Sequence, residues 1–155
     1  MTLPIESLQS RSIYYYLKGL LPSTVNITLA FPISNTTSDP PLALPTVSVD
    51  TIDIQGLPLE LGNNATRQKR MWAVEVFAST PVLRDDISYQ IYHALESGIT
   101  VYDYNEGFPP DVSPSELGFL DVSDITIRPV YVFRDLVKDL YWRNSIKFTT
   151  DYGSF

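Results

Sequence analysis

Arg70-Met71-Trp72-Ala73-Val74-Glu75-Val76-Phe77-Ala78 runs through Ser79 and Thr80 into Pro81-Val82-Leu83-Arg84-Asp85-Asp86-Ile87-Ser88-Tyr89-Gln90-Ile91-Tyr92-His93-Ala94-Leu95. The first nine residues alternate: Trp72, Val74, Val76 and Ala78 share one face, Ala73, Glu75 and Phe77 the other. Period-two alternation is the pattern of a strand. Apolar residues on both faces place that strand in the middle of a sheet. The following stretch changes period. Thr80 is a good N-cap and Pro81 suits the first helical position. Leu83, Ile87, Ile91 and Leu95 recur every four residues, the apolar stripe of an amphipathic helix, and Gly98 supplies its stop. Asp85 and Asp86 read as acids near the helix's positive end.

Upstream, Thr46 to Ile54 also alternates, but its phase slips by one between Val49 and Ile52, which predicts a bulge. Gly56 to Thr66, with Gly62-Asn63-Asn64 at its centre, reads as a hairpin tip. Pro32 to Pro45 is a proline-rich loop, and Val25 to Ala30 is a short β-branched strand. Ile5 to Leu21 carries Ile5, Leu8, Ile13, Tyr16, Leu17 and Leu20 on a helical stripe and ends at Pro22.

Downstream, Ile99 to Tyr104 is a strand, and Asn105 to Gly118 is a second long loop with Gly107, Pro109, Pro110 and Pro114. Phe119 to Phe133 reads as one long strand or a bent pair, broken near Asp121-Val122-Ser123-Asp124. Asp135 to Leu140 is too short for a helix. Tyr141 to Tyr152 is a final strand with Trp142, Asn144, Ile146 and Phe148 on one face. The order is helix, three strands, helix, three strands. The expected fold class is α+β: a mostly antiparallel sheet of about six strands with two main helices on one face, in one domain over residues 1–155. The connection through the second helix either pairs its flanking strands in parallel or skips a neighbour.

Composition narrows the function classes. The chain has 155 residues, 44% of them hydrophobic, with 11 Lys+Arg against 18 Asp+Glu and a net charge of −7. That balance disfavours a general nucleic-acid binder, which needs a basic face. Cysteine is absent, which removes disulfides, Cys-rich zinc sites, iron–sulfur clusters and thiol nucleophiles. No apolar run approaches the ~18 residues of a membrane helix. The start, Met1-Thr2-Leu3-Pro4-Ile5-Glu6, lacks the features of a secretory signal. The Asn-X-Ser/Thr triplets at Asn26, Asn35 and Asn64 are therefore read as composition rather than glycosylation, in a protein made in the cytoplasm.

Few residues point to chemistry. His93 is the single histidine, too few for a usual transition-metal set, and reads as a surface or half-buried structural residue. Asp85 and Asp86 are adjacent on a helix, so they point about 100° apart and form no facing dyad. No Gly-X-Ser-X-Gly elbow, calcium loop or phosphate-cradling glycine run occurs. The expectation is no enzyme, no cofactor and no metal. Two features stand out instead. Arg67-Gln68-Lys69-Arg70 is the basic cluster; at a strand start it reads as a solvated edge, or as ion pairs to the acidic face of a neighbouring subunit, ahead of a contact with nucleic-acid phosphates. Ten Tyr, seven Phe and two Trp give 12% aromatic residues, including Tyr14-Tyr15-Tyr16 on three successive helix positions. Such residues favour interfaces.

Three segments carry a resemblance: Arg11-Ser12-Ile13-Tyr14-Tyr15-Tyr16-Leu17 leading to a proline-rich stretch, Trp72 to Phe77 followed by the helix Asp86 to Leu95, and Leu140-Tyr141-Trp142-Arg143-Asn144-Ser145-Ile146-Lys147-Phe148. In element order and texture the chain resembles the tail terminator (tail completion) proteins of tailed bacteriophages. The resemblance implies a virion protein without enzymatic activity. Six copies would form a ring on the head-proximal end of the tail tube, stop tube growth and meet a head-completion or stopper protein, with the genome passing through the lumen unbound. Contact regions expected on this reading are Arg67, Lys69 and Arg70, the loop with Tyr104 and Phe108, and the last strand with Tyr141, Trp142 and Arg143. Three alternatives remain: another neck or tail protein such as a stopper or tube-end adaptor, a carbohydrate- or peptide-binding module using exposed aromatics, and a carboxylate-only enzyme of the glycosidase kind.

Overall fold

A computed structural model describes residues 2–29, 44–58, 66–130 and 142–155. Helix α1 spans Ile5–Leu20 and helix α2 Pro81–Leu95; the strands are β1 Asn26–Thr28, β2 Thr46–Pro58, β3 Thr66–Ala78, β4 Ile99–Tyr102, β5 Glu116–Val130 and β6 Trp142–Ser154. They form one six-stranded sheet in the order β1-β2-β3-β6-β5-β4. The β1–β2 pair is parallel and every other pair antiparallel. This is the α+β class expected, with β3 central between β2 and β6.

The core explains the sequence alternation. Val76, Val74 and Trp72 of β3 lie beside Val47, Val49 and Thr51 of β2, and Val74 and Trp72 lie beside Ile146 and Phe148 of β6. These valines, Trp72, Ile146 and Phe148 meet Leu8, Ile13 and Leu17 of α1 and Ile87, Ile91 and Leu95 of α2 in one apolar cluster. Both helices thus cover the same sheet face. Burying each large side chain there contributes roughly 1.5–3 kcal/mol. Trp72 is fully buried, and its Nε1 donates to Thr150 Oγ1 at 2.8 Å, so the ring carries no orphan donor.

Both sequence irregularities are present. The β2–β3 register shifts between Thr51 and Asp53, where the phase slip predicted a bulge. The β5–β6 register shifts between Ser123 and Thr126, and Asp124 sits there at φ 54°. That is the break expected within one long strand, and Asp is among the residues that tolerate the left-handed region. Thr80 caps α2 by accepting from Leu83 N, and Gly98 turns the chain beyond it at φ 76°. The link through α2 takes the skipping alternative: β4 lies beyond β6 and β5, at the far edge from β1.

One local expectation needs correction. Asp85 and Asp86 do not complement the start of α2, whose first turn holds no acid. Asp85 instead accepts from Arg84 Nε at 2.9 Å and from Asn144 Nδ2 at 3.1 Å. The Arg84 hydrogen bond holds its carboxyl below the usual range. The inner side of α2 is accordingly half polar, with Arg84 and Ser88 buried beside the isoleucines. The Gly56–Thr66 tip, the 32–45 loop up to residue 43 and the 135–140 segment fall wholly or mostly outside the described residues.

Candidate functional site

The three expected contact regions are separated by the register. Lys69 pairs with Asp151 while Ala78 pairs with Trp142, so the two ends of the β3–β6 ladder lie about 30 Å apart. Lys69 and Arg70 are at one end, Trp142 and Arg143 at the other. The loop carrying Tyr104 and Phe108 joins β4 to β5 at the Lys69 end, because Gly118 pairs with Ser154 of β6. The first two regions therefore lie at one end of the sheet and the third at the other. Tyr141 and the side chain of Arg67 lie outside the described residues.

Within the basic run, Arg70 is an interior residue. It is 3% exposed. Its Nη1 donates to the Glu6 carbonyl oxygen at 2.8 Å and to Gln9 Oε1 at 2.9 Å, and its Nη2 donates to Ser10 Oγ and Thr51 Oγ1. The guanidinium carbon lies 3.9 Å from the centroid of the Trp72 ring, which compensates the unpartnered Nε. Burial pushes the pKa of Arg70 down to about 10, opposed by the Glu6 charge. Arg70 therefore clamps α1 to the β2–β3 bulge inside the chain, and of the run's described basic side chains Lys69 is the less buried.

Tyr104 is also internal, at 3% exposure. Its ring stacks on Tyr15 of α1 with centroids 5.1 Å apart and on Phe108 at 5.9 Å. Arg11 lies 5.3 Å over the outer Phe108 ring, which is 41% exposed. Burial raises the Tyr104 hydroxyl pKa. The loop is fastened at further points. Leu3 N donates to Asn105 Oδ1 at 2.7 Å, and Glu106 accepts from Ser115 N at 2.8 Å and Ser115 Oγ at 2.6 Å. Gly107 sits at φ 140°, and a Cβ there would lie 2.6 Å from Val112. Only Phe108 of the two predicted loop residues offers its side chain outward.

At the other end, Arg143 Nε donates to Glu75 Oε2 at 2.9 Å, and Ser145 Oγ donates to Glu75 Oε1 at 3.0 Å. Arg84 lies 5.8 Å over Trp142. Both predicted residues of β6 are half-buried. His93 is exposed, with Nδ1 3.6 Å from Glu96. Among the described residues no group of three His, Cys, Asp or Glu side chains is placed to hold a metal ion, and no helix is long and apolar enough to cross a membrane.

Two surfaces were not visible in the sequence. The β2–β3 ribbon continues past the last β6 pairing at Lys69, through Gln55, Gly56 and Leu57 opposite Lys69, Gln68 and Arg67. Ile52, Ile54 and Met71 at its base are exposed. A groove of about 850 Å³ opens along β4, between α1 and the 103–115 loop, walled by Tyr16, Tyr102, Pro110 and Phe119. Its traces in the sequence are the Tyr15-Tyr16 pair, Tyr104, Pro109-Pro110 and Pro114.

No protein-family profile matches the sequence, and no curated protein matches it by sequence. The fold is similar to that of a virion chain. A chain in the virion of a native gene transfer agent (GTA) particle superposes at a TM-score of 0.54, covering 99% of this chain and 98% of that one. Identity is 14%, so the likeness is one of fold.

Proposed function

We propose that this protein is a structural virion component that acts by self-assembly, as the ring subunit that terminates a phage-type tail tube and joins it to the head. The observation that carries the reading is the end-to-end fold similarity to a chain of the GTA virion, with almost nothing unmatched in either chain. The exposed Ile52, Ile54 and Met71 support it, because apolar side chains left exposed together at the base of the β2–β3 ribbon gain burial from a partner. The two ends of the strand order, β1 and β4, support it as well: they are unlike edges with no further strand beyond them among the described residues, and unlike edges suit the heterologous contacts that close a ring. On this reading the chain catalyses no reaction, and the lumen of a ring with net charge −7 per subunit lets DNA slide without holding it.

Electron-microscope class averages of the purified protein, alone and with tube protein, test the proposal. Six-fold rings that cap tube ends are expected. Lys69→Glu should reduce the ring fraction while leaving the monomer folded. Particles that remain monomeric both alone and with tubes overturn the proposal; rings that bind a head-completion protein but not tubes reassign the chain as a stopper.

A further inference from the structure

The groove along β4 is floored in part by the Tyr15–Tyr104 stack. None of the described residues that line it is ionised at neutral pH. Tyrosine rings, Thr100 on the edge strand, Leu20 of α1 and the Pro109-Pro110 pair form its surface. A charged ligand would lose its hydration there and gain no counter-charge. Flat aromatic walls with hydroxyl groups suit an extended, proline-bearing peptide, which enters with little conformational entropy left to lose. β4 has no strand on its outer side among the described residues. Ser12 Oγ accepts from Tyr102 N at 3.1 Å, so the edge is already met by polar groups of α1.

The chain itself carries a matching segment. Residues 30–43 read Ala30-Phe31-Pro32-Ile33-Ser34-Asn35-Thr36-Thr37-Ser38-Asp39-Pro40-Pro41-Leu42-Ala43, with three prolines and Asp39 as the single charge. The segment lies outside the described residues, and its flanks Leu29 and Leu44 adjoin β1 and β2 at the opposite end of the strand order from β4. Going out and back, fourteen residues can extend at most about 23 Å from their anchors. A ring contact sets unlike edges of two copies side by side. The geometry points to the proline-bearing segment 30–43 of one copy docking in the β4 groove of the next copy. This inference rests on the reading that copies of the chain assemble.

The absence of cysteine makes the test direct. Pro41→Cys and Ser97→Cys, made in separate full-length chains, each introduce one thiol; Ser97 is exposed and lines the groove. Mixed under mild oxidation, the two variants should form a disulfide heterodimer about tenfold faster than Pro41→Cys mixed with Val82→Cys, as local concentration demands. Val82 is an exposed α2 residue outside the groove lining. Gly19→Phe in the Ser97→Cys chain should lower the rate to the control value, because a Cβ at Gly19 meets no atom within 4 Å and the ring projects into the groove. Leu20→Glu serves as a second block at an exposed lining residue. Sedimentation velocity on the same samples separates the two readings. Oligomers with trapping no faster than control overturn the docking and leave assembly standing. No oligomers and no trapping overturn both. A Pro41→Cys/Ser97→Cys chain that closes only within itself, with no trapping between single variants, overturns the inter-copy occupant.

Discussion

The β2–β3 ribbon and the 103–115 loop stand at the same end of the sheet and invert the usual expectation. The ribbon is regular, with Gln55 to Pro58 laddered on Lys69 to Thr66, yet residues 52–56 are all exposed. The loop has no ladder, yet it is tied by the Tyr15–Tyr104–Phe108 stack, by Asn105 on Leu3 and by Glu106 on Ser115. Backbone hydrogen bonds alone contribute little net stability, since water offers the same partners. Two strands by themselves are marginal. Burial of side chains is what holds a segment, and the irregular loop carries the buried Tyr104 where residues 52–56 of the regular ribbon are exposed.

The contrast can be broken most sharply at Tyr104. Tyr104→Ala should cost about 3–4 kcal/mol, as for other large buried rings, and lower Tm by roughly 10 °C in a chain of this size. Thermal unfolding by circular dichroism measures the loss, and amide exchange should locate it in residues 103–115 rather than the ribbon. A smaller effect follows from pH. The hydrogen bonds from Ser115 hold the Glu106 carboxyl below its usual range. The folded pKa is depressed, so the contact is fully present above the ordinary carboxylate pKa and is lost as pH falls through the lower folded value. Exchange protection of the Ser115 amide should drop on acidification and should be insensitive to acid in Glu106→Gln. The smallest effect belongs to the ribbon. Ile54 is 46% exposed, so Ile54→Ser should change monomer stability by no more than about 0.5 kcal/mol. Urea unfolding of the monomer measures it; a larger change would mean that the ribbon is packed within the chain.

Local pattern made much of this architecture legible. Alternation in β3 with apolar residues on both faces implied a central strand, and Thr80-Pro81 with Gly98 marked both ends of α2. The slip between Val49 and Ile52 and the break near Asp124 were visible because one added residue inverts every later side chain. The candidate contacts were far less legible. Arg67 to Arg70 reads as a solvated basic run, but the partners that draw Arg70 inward are Glu6, Gln9, Ser10 and Thr51, three of them on α1 some sixty positions earlier. Tyr104 reads as a loop aromatic free to meet a neighbour, but Tyr15 is already beneath it.

By itself, then, the sequence determined the elements, their bulges and caps, and the α+β class, because these depend on periodicities of two and 3.6 residues within short windows. The tertiary structure decided the strand order, the separation of Trp142 from Lys69, the burial of Arg70 and Tyr104, and the groove beside β4. Each of these depends on which distant segment comes to lie against a residue, and a pairing between segments leaves no period in either one.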